Sequence, residues 1–256
     1  MTPLPRIMVA PNGAYKTKAD HPNLPVTIAE TVDAVTHAHH AGANGAHVHL
    51  RDTEQRHLLD VAMYRDLIAA LKAACPGLYI QITTEAAGRY SSKFQRDLIL
   101  ELAHPYVSAA IVELVRDCTL DDLRKFYANC ADLGVVIQHI FYDVDDMKMF
   151  QKLLGNGVIP AEQNTYLFVL GRYRQGQQST PADLDPFLAC LRTMSDHKTP
   201  DWAVCAFGAQ ETQCLVYAIA NGGKARIGFE NNLLNETGKI ARSNTERVAE
   251  LNDYLL

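Results

Sequence analysis

The chain has 256 residues, 48% of them hydrophobic, with a formal net charge of −5. Those values suit one soluble domain with a large core and argue against nucleic acid or an anionic membrane as the main partner. No apolar run approaches the ~20 residues of a membrane helix, and the opening MTPLPRIMVAPNG lacks the basic start and apolar stretch of a secretory leader.

Taken in chain order, a strand-like run at 6–10 is followed by a helical pattern at 27–41, and a second run at 45–50 by a helix at 60–74. The alternation continues with strands at 78–83, 109–113, 135–141, 165–170, 202–207 and 225–229. Helices at 92–103, 119–133, 143–154, 181–194, 209–220 and 243–256 lie between and after them. Eight strands strictly alternating with eight helices predict a parallel sheet closed into a (β/α)8 TIM barrel, one domain over residues 1–256. Local signals agree: Thr119-Leu120-Asp121-Asp122 opens a helix with acid in its first turn, and Asn221-Gly222-Gly223 stops one. An open doubly wound sheet is the alternative fold, but no GxGxxG or Walker loop follows the first strand. Cys75, Cys118, Cys130, Cys190, Cys205 and Cys214 show no CxxC spacing. They are expected to be reduced core residues of a cytoplasmic protein.

The chemistry concentrates at Gly45-Ala46-His47-Val48-His49-Leu50-Arg51-Asp52, where the second strand ends. Side chains at i and i+2 of a strand share a face, so His47 and His49 can hold one ion together. The last strand runs Ala225-Arg226-Ile227-Gly228-Phe229-Glu230 and closes the barrel beside the first. By parity Arg226, Gly228 and Glu230 share a face, while Ala225, Ile227 and Phe229 meet the outer helices. With the first set inward, Glu230 hangs over the mouth near both histidines. Two histidines, one carboxylate and an open position suit catalytic zinc, and the same set resembles a facial triad for iron. Asp52 either fixes an imidazole or pairs with its loop neighbours. His37, His39 and His40 lie on a helix and read as its solvated face.

The motifs HVHLRD, PNGAYKTKADHPNLPVT and GGKARIGFENNL, in order over nearly the whole chain, resemble the β-keto acid cleavage enzyme family. That resemblance implies a (β/α)8 barrel, usually a homotetramer, with one Zn2+ per chain held by residues matching His47, His49 and Glu230. It implies a reaction of a β-keto acid with acetyl-CoA that gives acetoacetate and a shortened acyl-CoA. Arg226 matches an arginine that takes part in proton abstraction. Two positions depart from the family pattern. Its usual aspartate base after the metal-binding glutamate is here Asn231, an amide that cannot accept the proton as a carboxylate would. The glutamate that holds the substrate amine in the founding activity is here Tyr15, so the amino-hexanoate is not the expected substrate.

Other strand ends supply further candidates. Thr83 and Thr84 either hold the substrate carboxylate or cap the strand end beside Glu85. Glu113 is either the missing base or a polar rim residue. Gln138 and His139 are adjacent on the fifth strand, and parity turns only one inward, with Gln138 taken as a substrate contact. Arg172 and Arg174 either meet CoA phosphates or lie in a solvated loop. Gly208 admits a close backbone approach by ligand. Two competing readings remain: a metal-dependent hydrolase of the amidohydrolase type, and a non-catalytic ligand-binding barrel. The hydrolase wants its HxH on the first strand and a histidine on the sixth, which reads Thr165-Tyr166-Leu167-Phe168-Val169-Leu170.

Overall fold

Strands buried on both faces read as near-continuous apolar runs, and eight such runs close into a parallel barrel in this computed structural model, which describes residues 2–171, 178–193 and 199–255. The chain opens with β1 (Ile7–Val9), α1 (Ile28–His40) and β2 (Gly45–Val48). A small antiparallel hairpin of β3 (Leu50–Arg51) and β4 (His57–Leu58) then precedes α2 (Val61–Ala74). Next come β5 (Tyr79–Thr83), α3 (Ser92–Leu102), β6 (Tyr106–Ala110), α4 (Ile111–Leu114) and α5 (Leu120–Asp132). The chain continues through β7 (Val136–Phe141), α6 (Val144–Gly155), β8 (Thr165–Leu170) and, after a 3-10 turn, α7 (Asp185–Thr193). It ends with β9 (Asp201–Ala206), α8 (Glu211–Ala220), β10 (Lys224–Ile227) and α9 (Asn244–Asp253).

Around the barrel the order is β1-β10-β9-β8-β7-β6-β5-β2. The hairpin, which the sequence did not announce, stands apart from it. Closure pairs Met8 with Arg226 and Met8 with Gly45, so the two ends of the chain meet at β1. Outward side chains such as Val9, Ala46, Ile80, Phe168 and Ile227 join the helices in one large cluster. Inward ones such as Met8, Ile140, Leu167 and Val169 fill the barrel. The helix starts are fixed by side-chain caps: Thr27, Asp60, Ser91, Thr119, Asp143 and Ser243 each accept from a backbone N–H of the first turn. Such a cap stabilises a helix by about 0.5–2 kcal/mol.

One strand departs from expectation. The run predicted at 109–113 is displaced toward the N-terminus: the strand is Tyr106–Ala110, and Ile111–Leu114 forms a helical turn. The β-branched pair Ile111-Val112 mimics a strand, but Ile111 and Leu114 are both buried by that turn, so packing overrides propensity. The last strand is also short. It stops at Ile227, and a turn rather than continued pleating carries the chain to Glu230, with Asn231 and Asn232 N–H groups donating to the Gly228 carbonyl at 3.0 and 3.1 Å. All six cysteines are free thiols, as expected. No helix among the described residues is long and apolar enough to cross a membrane.

Candidate metal centre and active-site cavity

His47 sits on β2 directly opposite Gln81 of β5, and His49 follows at the strand end. Both imidazoles are buried, with their Nε2 atoms 3.1 Å apart. Glu230 arrives from the turn after β10, on the other side of β1 from β2, and its Oε2 lies 3.8 Å from His47 Nε2 and 3.7 Å from His49 Nε2. The three form the one cluster of metal-type ligands among the described residues. Two donors about 2.05 Å from a tetrahedral ion stand roughly 3.3 Å apart, so the observed spacings need little adjustment.

Local contacts hold these side chains in place. Asn12 clamps His49 through its backbone, accepting from His49 N–H at 3.4 Å and donating to His49 O at 3.1 Å. Glu230 N–H donates to Ala10 O at 3.1 Å, while the Lys16 ammonium reaches Glu230 O at 2.6 Å. The turn before Glu230 needs Gly228, with φ of +147: a Cβ there would meet Ala10 O at 2.4 Å. Glu211 accepts from Gly228 N–H at 3.3 Å, Asn244 accepts from Phe229 N–H at 2.9 Å, and Arg247 braces Glu211 at 3.0 Å.

The electrostatics fit a cation. Burial, with Arg226 nearby, holds His47 well below the ordinary histidine range, and burial beside His47 does the same to His49. Both imidazoles are therefore neutral and keep a lone pair, as metal ligation requires. Glu230 Oε2 and His49 Nδ1 have no hydrogen-bond partner among the described residues. A buried carboxylate oxygen without a donor costs free energy that a bound cation would recover.

Above this centre lies a cavity lined by His47, Thr83, Glu85, Glu113, Arg226, Glu230 and Asn231, with Ala110, Ile140, Tyr142, Val169, Cys205 and Phe207 as the apolar wall. Arg226 points inward as parity required, its Nη2 at 3.3 Å from Glu230 Oε1 and 3.6 Å from Cys205 Sγ. Thr83 lines the cavity, but its hydroxyl oxygen accepts from Glu85 N–H at 3.0 Å. Glu113 reaches the cavity from α4, yet its Oε2 takes Ala86 N–H at 3.0 Å and Gln95 Nε2 at 2.6 Å. Burial raises the Glu113 carboxyl above its ordinary range. Asn231 is in the wall.

Four expected contacts stand elsewhere. Gln138 does face inward, but beneath the cavity, its amide occupied by Gln81 and Tyr166 O. Thr84 is buried behind β5 with its hydroxyl on Ser108 O at 3.3 Å. Gly208 has φ of +98 and starts the turn into α8, accepting from Glu211 N–H at 3.1 Å, rather than meeting the cavity. Tyr15 stands half exposed at the mouth and hydrogen-bonds Glu85; burial and that carboxylate push its hydroxyl up to about 12. Asp52 serves the hairpin, bonding Arg56 Nε at 2.9 Å and the Arg56 N–H at 2.9 Å, and so fixes no imidazole. His139 faces outward onto Tyr127 Oη at 2.8 Å. Arg172 and Arg174 lie outside the described residues.

Glu85 is the residue that sequence reasoning undervalued. Burial, then the nearby Glu230 and Glu113 charges, raise its carboxyl to about 8. No spacing rule marks it, because it follows the strand in a loop; only its place after two threonines at a strand end gave a signal. Gln81 likewise carries no signal beyond its place in a buried strand.

Comparison with known proteins places this geometry in a family. The model of the β-keto acid cleavage enzyme family matches residues 6–255. The chain is 27% identical over 244 residues to a 3-keto-5-aminohexanoate cleavage enzyme of Acetoanaerobium sticklandii, covering 93% of this chain and 87% of that protein. It is 24% identical over 284 residues to a 3,5-dioxohexanoate:acetyl-CoA acetone transferase of Paraburkholderia graminis, covering 97% and 89%. Among solved structures, ObcA in ternary complex with a C4-CoA adduct and oxalate superposes with a TM-score of 0.72 at 15% identity. That match covers 91% of this chain and 64% of ObcA, so the chain spans less than two-thirds of that protein and shares its fold.

Proposed function

The chain belongs to the β-keto acid cleavage enzyme family, and from that premise we propose that it joins a β-keto acid to acetyl-CoA in a zinc-dependent reaction yielding acetoacetate and the CoA ester of the shortened acid. The observation that carries the reading is the convergence of His47, His49 and Glu230 beside Arg226 at the floor of one cavity. A divalent ion held there would polarise the ketone and carboxylate oxygens of the substrate as a Lewis acid.

The chain's own residues then divide the work. Arg226 presents a fixed positive charge where negative charge develops as the C2 proton leaves. Asn231, an amide, holds the wall and accepts no proton. Glu113 is tied to Ala86 and Gln95 through one oxygen. Glu85, in the cavity wall, is the carboxylate left to take the C2 proton. The C2 carbanion attacks the acetyl thioester carbonyl and expels CoA thiolate. That thiolate attacks the substrate's own ketone carbon, the C2–C3 bond breaks, and Glu85 returns its proton to the departing acetoacetate carbanion. The apolar wall of Ile140, Val169 and Phe207 excludes water that would hydrolyse the thioester.

We extend the same premise to one zinc per chain and a homotetramer, which elemental analysis and light scattering measure. The hydrolase reading gains no support, since β8 offers no histidine. Incubating zinc-loaded protein with a panel of β-keto acids and acetyl-CoA tests the proposal: acetoacetate is expected from at least one acid. Its absence with every acid would overturn the assignment.

A further inference from the structure

Beneath the cavity, three side-chain amide and imidazole groups run in a line across the barrel interior. His47 Nδ1 is 2.8 Å from Gln81 Oε1, Gln81 Nε2 is 3.0 Å from Gln138 Oε1, and Gln138 Nε2 is 3.1 Å from Tyr166 O. The line passes from β2 through β5 and β7 to β8, and all three side chains are buried. Its polarity is forced from the far end. A backbone carbonyl can only accept, so Gln138 must turn its NH2 to Tyr166 and its oxygen to Gln81. Gln81 must then donate to Gln138 and offer its own oxygen to His47. His47 is left one choice, to carry its proton on Nδ1. Its Nε2, the atom facing His49 and Glu230, therefore keeps the lone pair.

We propose that Gln81 and Gln138 are positioning residues that hold His47 in its metal-binding tautomer and orientation, with the hydrogen-bond order set by the Tyr166 carbonyl on the opposite side of the barrel. The proposal rests on the zinc reading above. Its physical content is that Gln138, which touches no ligand, governs metal affinity through Gln81. Without Gln138, the Gln81 amide keeps its side-chain contact with Tyr79, a hydroxyl that can donate as well as accept, and so it can turn and present NH2 to Nδ1, which moves the imidazole proton to Nε2 and blocks ligation. Asn12 does the corresponding work for His49 through backbone atoms alone, so it cannot choose a tautomer. His49 Nδ1 has no partner among the described residues, which makes His47 the ordered member of the pair.

The test measures zinc affinity of the metal-free protein by competition with a chromophoric chelator, on variants whose thermal unfolding stays cooperative. Gln81→Leu is expected to weaken zinc about 10- to 100-fold, the range seen when a partner of a metal-bound histidine is removed. Gln138→Leu is expected to weaken it about 5-fold or more, one hydrogen bond's worth of wrong-way order. Gln81→Glu keeps an acceptor for Nδ1 but sets an oxygen against Gln138 Oε1, and is expected to bind about 3-fold or more tighter than Gln81→Leu. Zinc binding unchanged in both leucine variants overturns the proposal. Long-range 1H–15N spectra of the metal-free wild type need no variant: a proton on His47 Nδ1 supports the relay, and a proton on Nε2 refutes it. A wild type that holds no zinc, yet carries the Nδ1 proton, would sink the metal reading and leave the relay standing.

Discussion

Gly13→Ala is the sharpest perturbation of the proposed centre because it adds one methyl group against Glu230. Gly13 has φ of +64, and a Cβ there would lie 2.5 Å from Glu230 Cγ, 3.1 Å from its Cβ and 3.2 Å from its Cα. Carbon atoms sit comfortably at about 3.5–4.0 Å, so Glu230 must retreat by roughly 1 Å, twice the tolerance of about 0.5 Å for a working site. Alanine in the left-handed region costs about 1–2 kcal/mol, and overpacking adds about 1–3 kcal/mol. For a chain of this size the sum corresponds to a Tm lower by about 5–15 °C. Zinc affinity is expected to fall by about 100-fold or more, since only two protein ligands keep their places. Gly77→Ala is the control: its φ is +85 with nothing within 4 Å of an added methyl, so it carries the backbone cost without touching the site. Calorimetry and chelator competition on both variants separate the two effects. Zinc binding as tight in Gly13→Ala as in Gly77→Ala would refute the claim that Gly13 makes room for a metal-binding Glu230.

Three other outcomes are expected. Glu85→Gln should lower kcat by about 10²- to 10⁴-fold with zinc affinity within about 3-fold of wild type, whereas Glu113→Gln should retain most of the rate; steady-state kinetics on the two variants decide which carboxylate moves the proton. Because burial holds His47 and His49 well below their ordinary range, protons begin to compete with metal only well below pH 6.5. Zinc affinity, corrected for the chelator's own titration, should change by less than about 3-fold between pH 8 and 6, where two imidazoles titrating near 6.5 would lose about 15-fold. Arg247→Met should leave the buried Glu211 and the partly buried Glu250 without their partner. Breaking such a pair costs about 3–5 kcal/mol, read in calorimetry as a Tm lower by roughly 10 °C.

The sequence carried the barrel because parallel strands and their covering helices have different hydrophobic periods, and the two alternate here without interruption. The misread strand shows the limit of that signal. Ser108 faces the barrel interior and Pro105 precedes the strand, so the true β6 looks polar while the following helical turn looks like a strand. The cluster of His47, His49 and Glu230 was legible because two constraints met: the i, i+2 spacing of His47 and His49, and the closure of the last strand beside the first. What stayed hidden depends on contacts between distant residues. Glu85 acquires its character from burial beside Glu230 and Glu113, and Gln81 and Gln138 matter only because the barrel sets them end to end. Thr84 and Gly208 attract notice by nearness to strand ends, but a strand end has an inside and a back, and Thr84 lies behind it.

The central claim is that one divalent ion sits among His47, His49 and Glu230. Diffraction from zinc-soaked crystals above and below the zinc absorption edge tests it directly. One anomalous peak per chain, within bonding distance of both Nε2 atoms and a Glu230 oxygen, is the result expected. A peak elsewhere, or Glu230 turned from the imidazoles with no peak between them, would contradict the account.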